Sequence, residues 1–262
     1  MHLLIFGLGY TAARLARRLV AGGARVTATS RSGTAGTLAL DDPAIIAAIA
    51  NATHILSSVP PAADGDPVLI RHAAALRAAP AGWLGYLSST GVYGDAGGAW
   101  VDESASLGGR RTERVAADQA WSALRPDVRV FRLPGIYGPG RSAIDAVRAG
   151  TAHRVDAPGQ RFSRIHVDDI GSAMIASFDR PPGVYNLADD EPAAGRTVTE
   201  YACALLGAPL PPLIAPDDPV LSPMARGFYS ESRLISAGKA RRVLGFTPAY
   251  PDFRAGLRAL VR

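Results

Sequence analysis

Apolar and polar positions along the first third of this chain follow two periods in turn. Leu3-Leu4-Ile5-Phe6 is an apolar run too short for a helix. A run with Ala13, Leu15, Ala16, Leu19 and Val20 at helical spacing comes soon after. A second apolar stretch, 24–29, ends at Ser30-Arg31. The alternation then continues. The pattern predicts a short strand at 37–40, a helix at 44–50, a strand at 53–58 that stops at Pro60-Pro61, and a helix at 68–79. It further predicts a strand at 83–88, a long helix at 110–124 and a strand at 128–133. Strands that alternate with helices in this way predict an α/β fold, a doubly wound parallel sheet with helices on both faces.

Composition narrows the class without naming a chemistry. A chain of 262 residues can bury a large core and suits a large and a smaller α/β unit. No apolar run approaches the length of a membrane span. The net charge of +5 comes from arginines scattered along the chain, without a cluster interleaved with aromatics, which argues against a nucleic-acid partner. Cys203 stands alone, in an Ala/Leu helical run that reads as core, so an intramolecular disulfide is excluded. The glycine-rich motif begins at residue 7 and leaves no stretch for a signal peptide. A cytoplasmic location is the expectation from these features. No internal repeat or low-complexity segment interrupts the chain.

The candidate chemistry begins between the first strand and the first helix, at Gly7-Leu8-Gly9-Tyr10-Thr11-Ala12. Strand, glycine turn, helix and strand make the order of a dinucleotide-binding βαβ unit. Gly7 allows the tight turn, Gly9 lets the backbone approach a pyrophosphate, and Ala12 supplies the small side chain needed where helix meets strand. The helix N-terminus offers unpaired N–H groups and a positive dipole end to phosphate. After the second strand, a carboxylate would select the ribose 2′-OH of NAD, whereas an arginine suits a 2′-phosphate. Here Ser30-Arg31-Ser32 occupies that place and no carboxylate follows until Asp41, which favours NADP over NAD. The plain alternative for Arg31 is a solvated loop residue.

Two further stretches carry a resemblance to a known family. They are Leu87-Ser88-Ser89-Thr90-Gly91-Val92-Tyr93-Gly94 and Arg132-Leu133-Pro134-Gly135-Ile136-Tyr137-Gly138-Pro139-Gly140. The chain resembles the extended branch of the short-chain dehydrogenase/reductase superfamily, the NAD-dependent epimerase/dehydratase group. Ile165-His166-Val167-Asp168-Asp169-Ile170, Gly183-Val184-Tyr185-Asn186-Leu187 and Leu244-Gly245-Phe246-Thr247-Pro248 are similar to it as well, in the family's order. The resemblance implies a Rossmann domain over 1–135 and a smaller C-terminal substrate-binding region over 136–262, interleaved with the first. It implies cofactor contacts from Gly7, Leu8, Gly9, Tyr10, Thr11, Ser30, Arg31, Ser57, Ser88, Pro134, Gly135 and Ile136, and a small-molecule substrate. Helices on the flanks of the sheet leave a homodimer open.

The same resemblance exposes a departure. In the family a Ser or Thr works with a Tyr-x-x-x-Lys pair: the Tyr exchanges a proton with substrate oxygen, and the Lys holds the nicotinamide ribose. Ser89 falls at the Ser/Thr position. The pair is missing, for Lys239 is the chain's one lysine and Ile235 stands four residues before it. Aligning Val115-Ala116-Ala117-Asp118-Gln119 with the family's helix puts Arg110 at the tyrosine position and Arg114 at the lysine position. Arg114 can still donate to ribose hydroxyls. Arg110 cannot replace a phenol, because a guanidinium does not lose its proton at physiological pH. Arg110 and Arg114 are then either a solvated helix face compensated by Glu113 and Asp118, or part of a site for an anionic substrate.

Tyr93 and Tyr137 are the candidates for a surrogate phenol, with pocket lining or aromatic packing as their plainer roles. Arg110, Tyr137, Arg141 and His166 are the candidate substrate contacts. His166, Asp168 and Asp169 show no metal-ligand spacing, and Asp168 is expected as the N-cap of a helix at 170–178. Two functions remain: an atypical NADP-dependent oxidoreductase, epimerase or dehydratase, and an NADP(H)-binding sensor or structural protein without turnover.

Overall fold

A computed structural model describes residues 1–34 and 36–261. The first βαβ unit is β1 (His2–Phe6), α1 (Tyr10–Ala21) and β2 (Arg25–Ala28). After it come α2 (Ala44–Asn51), β3 (His54–Ser57), α3 (Pro67–Ala78) and β4 (Trp83–Ser89). A 3₁₀ turn at Thr90–Tyr93 and the two-residue β5 (Trp100–Val101) lead to α4 (Thr112–Leu124) and β6 (Val128–Leu133). The remainder holds β7 (Gly135–Tyr137), α5 (Ala143–Arg148), β8 (Arg154–Val155), β9 (Arg164–His166), α6 (Val167–Ala176) and β10 (Gly183–Asn186). Last come α7 (Gly195–Leu206), β11 (Leu213–Ile214), α8 (Pro223–Tyr229), β12 (Leu234–Ile235), α9 (Gly238–Leu244) and α10 (Phe253–Val261).

Six strands form one parallel sheet in the order β10-β6-β4-β3-β1-β2. Strand β10 belongs to the second half of the sequence, so the two halves interleave through the sheet itself. The predicted strand at 37–40 is not formed. A single bridge from Thr29 to Leu38 stands in its place, with Ser30 N donating to Leu38 O. Leu38 and Leu40 still pack on the core, and the Ser30 hydroxyl closes the loop by bonding the Thr37 hydroxyl at 2.6 Å.

Side-chain alternation along β1 divides the core between the two faces of the sheet. Leu3 and Ile5 pack with Leu15 and Leu19 of α1 and with Ile170 and Met174 of α6. Leu4 and Phe6 pack with Ile45 and Ile49 of α2, Leu76 of α3 and Trp121 of α4. Both faces are covered, as an all-parallel sheet requires. Asp66 joins two helices on the second face. It caps α3 by accepting from Val68 N and Leu69 N, and its other oxygen accepts from Trp121 Nε1 at 2.9 Å. A third cluster of Ile144, Val198, Ala202, Phe253 and Leu257 forms the core of the C-terminal region. Cys203 is buried in α7.

Helix α6 corrects the expectation for Asp168. The helix starts at Val167, three residues earlier than the pattern suggested, and the imidazole of His166 is its N-cap, Nδ1 accepting from Asp168 N. The Asp168 carboxylate instead accepts two bonds from Arg14 of α1, at 2.7 and 3.0 Å, and ties the two helices together.

A buried charged group lies at the C-terminal end of the sheet. Arg132 on β6 donates to both oxygens of Asp118 on α4, at 3.0 and 2.6 Å, with side chains 5% and 1% exposed. Ser88 of β4 donates to the same carboxylate at 2.6 Å. Arg132 also donates to the Tyr93 hydroxyl, which in turn donates to Asn186 Oδ1 of β10 at 2.7 Å. Asn186 N donates to Glu103. Asp118 therefore does not compensate Arg110 and Arg114, because its charge is matched inside. Removing one member of such a buried pair leaves an uncompensated charge. We predict that Asp118→Ala lowers unfolding stability by about 3–5 kcal/mol in urea denaturation. A change within about 0.5 kcal/mol, as at a surface site, would contradict the assigned role.

Candidate functional site

Ligands of doubly wound sheets bind outside the carboxyl ends of the strands. In this protein a cavity of about 880 Å³ opens there. Its floor is the glycine turn. Gly7 has φ +84°, and a Cβ there would come within 2.9 Å of Val59, so the turn requires glycine. Gly9 differs, for a Cβ there would meet nothing within 4 Å, and the residue faces the cavity. No side chain caps α1 and no acidic residue lies in its first turn, so its amide end is presented to the cleft. Tyr10 and Thr11 continue this wall. Leu8 is exposed and not among the lining residues.

The opposite wall comes from β4 and the segment after β6. Ser88, Ser89, Thr90 and Gly91 line it, followed by Pro134, Gly135 and Ile136. The Ser89 hydroxyl accepts from Gly91 N at 3.1 Å. Ser57 is corrected to its neighbour: its side chain is fully buried with the hydroxyl unpartnered, while Ser58 lines the cavity and bonds Gly7 O. Successive residues point to opposite sides at the end of a strand, so a one-residue offset reverses the assignment. Ser30 and Arg31 lie beyond β2, outside the lining, with Arg31 exposed.

The cavity is strongly cationic. Arg110, Arg111, Arg114, Arg141, Arg164 and Arg233 line it, and among the described residues Glu231 is the one carboxylate on its wall. Helix α4 starts at Thr112, so Arg110 precedes it and the expected one-turn pairing of Arg110 with Arg114 is absent. Arg110 donates to Glu231 Oε1 at 2.5 Å and to Gly227 O at 2.7 Å. Arg233 donates to Glu231 Oε2 at 2.7 Å and to Gly94 O at 2.7 Å. Burial works against ionisation of Glu231, yet the bonds from Arg233 and Arg110 hold its carboxyl below the ordinary range. Arg114 is half-buried on the wall, and no described residue bonds its guanidinium. Burial depresses its pKa, and it still stays charged at neutral pH. Arg141 stands over the ring of Tyr10, 5.8 Å from its centre, and so overhangs the glycine turn.

Three expected side chains are elsewhere. The Tyr93 hydroxyl is held inside by Arg132 and Asn186. Tyr137 is 8% exposed, donates to Asp252 O and packs edge-on against His166. His166 is 1% exposed, wedged between Tyr137 and Tyr250. None of the three is among the lining residues. The surrogate phenols and the His166 substrate contact are therefore corrected: packing and capping occupy these groups. The sequence reading missed Tyr229, Glu231 and Arg233, which do line the cavity. Ser222-Pro223, a cap followed by a first-turn proline, was the available signal for the helix that leads into them. Among the described residues no group of three or more His, Cys, Asp or Glu is placed to hold a metal, and no helix is long and apolar enough to cross a membrane.

No protein-family model and no curated protein matches this chain. Solved structures do. A functionally unknown conserved protein from Silicibacter pomeroyi DSS is 43% identical over 99% of this chain and 97% of its own, with a TM-score of 0.90. Human epimerase family protein SDR39U1 (isoform 2), solved with NADPH, is 18% identical over 100% of this chain and 99% of its own, at a TM-score of 0.81. MoeE5, solved with UDP-glucuronic acid and NAD, is 21% identical over 100% and 98%, at 0.79. The fold is the one shared by human epimerase family protein SDR39U1 and MoeE5. Within it, the chain belongs to the family of the Silicibacter pomeroyi protein.

His166 gives a testable consequence of the packing. Burial lowers its pKa to about 4. The unfolded chain then binds a proton at this residue that the folded chain refuses, so its stabilisation is complete above about pH 6.5 and is lost as pH falls toward about 4. Asp189 has the opposite sign: burial raises it to about 8, and its contribution fades as pH rises through that value. The two slopes overlap, so a difference experiment isolates the histidine. The stability gap between wild type and His166→Asn should be widest above pH 6.5 and narrow on acidification. Denaturant melts at several pH values check this, and a gap independent of pH would refute it.

Proposed function

We propose that the protein binds NADP(H) in this cleft and acts on a small anionic substrate, as an atypical oxidoreductase, epimerase or dehydratase. The observation that carries the reading is the joining in one cavity of the bare α1 terminus and Gly9 with a wall of arginines. Open space where a Gly9 Cβ would stand suits the close approach of a pyrophosphate, so the residues present fit the group. The turn from Gly7 to Thr11 would hold the phosphates, Arg31 a 2′-phosphate, and Arg114 the nicotinamide ribose, with Pro134, Gly135 and Ile136 beside the ring. When bound, the nicotinamide supplies hydride transfer. Two of the similar proteins were solved with NADPH or NAD, and one with a sugar nucleotide, which supports the cofactor class and an anionic substrate.

A second reading, a cofactor-binding protein without turnover, is favoured by one observation: the residue at the tyrosine position, Arg110, is engaged with Glu231 and Gly227. Ser89 is the hydroxyl that the first reading assigns to the substrate oxygen.

Fluorescence titrations with NADPH and NADH test the cofactor site. Gly9 has φ −83° and free space at Cβ, so Gly9→Ala should keep the melting temperature while weakening both nucleotides. Arg31→Ala should lose about ten- to a hundredfold for NADPH alone, the equivalent of roughly 1.5–3 kcal/mol for a charge-assisted bond. Arg114→Ala should weaken both nucleotides alike. Equal wild-type affinities for NADPH and NADH would overturn the preference for NADP, and absence of binding would overturn the whole reading.

A further inference from the structure

With Tyr93 and Tyr137 off the cavity wall, two tyrosines among the described residues line it: Tyr10 at the glycine turn and Tyr229 at the other end. The Tyr10 hydroxyl is committed to Pro139 O at 3.1 Å. The Tyr229 hydroxyl has no hydrogen-bond partner among the described residues. Tyr229 is the last residue of α8, and its ring stands edge-on to Phe162, with centres 5.3 Å apart. Phe162 begins the segment Phe162-Ser163-Arg164, whose Ser163 carbonyl accepts from Gly135 N. Tyr229 thus packs on the residue that leads into the segment backing Gly135, and its hydroxyl lies toward the start of α7, where a Cβ at Gly195 would come within 3.1 Å of it.

The residue at the family's tyrosine position holds this phenol's backbone. Arg110 bonds Gly227 O, two residues before Tyr229, and the carboxylate of Glu231, two residues after it. Gln160 adds a bond to Glu231 O at 2.7 Å, and Arg233 closes on the same carboxylate. Arg233 also approaches the 3₁₀ turn that follows Ser89, since a Cβ at Gly91 would lie 3.8 Å from Arg233 Nη2. One chain of contacts therefore links Arg233, Glu231, Arg110 and the strip that carries Tyr229.

We propose that Tyr229 is the proton donor of the site, and that Arg110, in place of the missing tyrosine, is the positioning residue that sets it. The inference rests on the reading of the cleft as a nicotinamide-nucleotide site. In the reducing direction, a bound reduced nicotinamide would supply hydride to a carbonyl carbon of the substrate, where a C–H bond would form. The C=O π pair would move to oxygen and take the proton from Tyr229 Oη, and the phenolate left behind would be reprotonated from solvent. Burial raises the Tyr229 phenol above its ordinary range, with Arg164 opposing.

The test uses the full protein labelled with [¹³Cζ]tyrosine, the Tyr229 signal being assigned by its absence in Tyr229→Phe. NADP⁺ should shift that signal, and Arg110→Gln should reduce the shift with NADP⁺ affinity unchanged. In parallel, NADPH consumption is measured against a panel of carbonyl compounds. Tyr229→Phe, which removes a hydroxyl with no partner, should keep melting temperature and NADPH affinity, and any turnover should fall about 10²–10⁴-fold. A Tyr229 signal unmoved by bound NADP⁺, or turnover that survives Tyr229→Phe, overturns the assignment while the cofactor site stands. Failure of NADP⁺ to bind overturns the cofactor reading and this assignment with it.

Discussion

The architecture of the cleft depends on the bidentate bond between Arg132 and Asp118. Both side chains are withdrawn from water, and each would be costly to bury alone. Together they fix β6 against α4, and through Ser88, Tyr93 and Asn186 they bring β4, the 3₁₀ turn and β10 to the same point. Those are the elements that carry Ser89 and Arg114 and that lead into Gly135. Side chains that face the cavity can vary while this bond keeps the backbone beneath them in place.

Much of the sheet was legible because its strands are short apolar runs between turn signals. The run 128–133 and the helix 44–50 were placed within a residue of their observed limits. The glycine turn was legible for a stronger reason, since Gly7 meets a geometric demand that a side chain would violate. What failed did so where two side-chain uses compete. Asp168 looks like a cap, but His166 takes the cap and Arg14 takes the aspartate. The segment 37–40 has the apolar residues of a strand, yet local hydroxyl bonds among Ser30, Thr34 and Thr37 hold it as a loop with one bridge.

The candidate site was half legible. Its nucleotide end follows from local sequence, because turn and helix terminus are adjacent in the chain. Its other end is built from residues more than a hundred positions apart, such as Arg110 and Glu231, which no spacing relates. Arg132, a charge inside the strand Val128–Leu133, was an unused signal, since its burial requires a partner. It did not announce which one. Asp118 sits in a helix whose sequence suggests a solvated face, and only the rotation of α4 against the sheet turns it inward.

The bracket formed by Arg110 around the end of α8 has a consequence for how this lineage can change. Glu231 is shared by Arg110 and Arg233, and the carbonyl of Gly227 relies on the same guanidinium. A substitution at position 110 alone would release both bonds and strand part of the carboxylate's charge pairing. Positions 110 and 231 therefore constrain one another, each limiting the amino acids the other can accept.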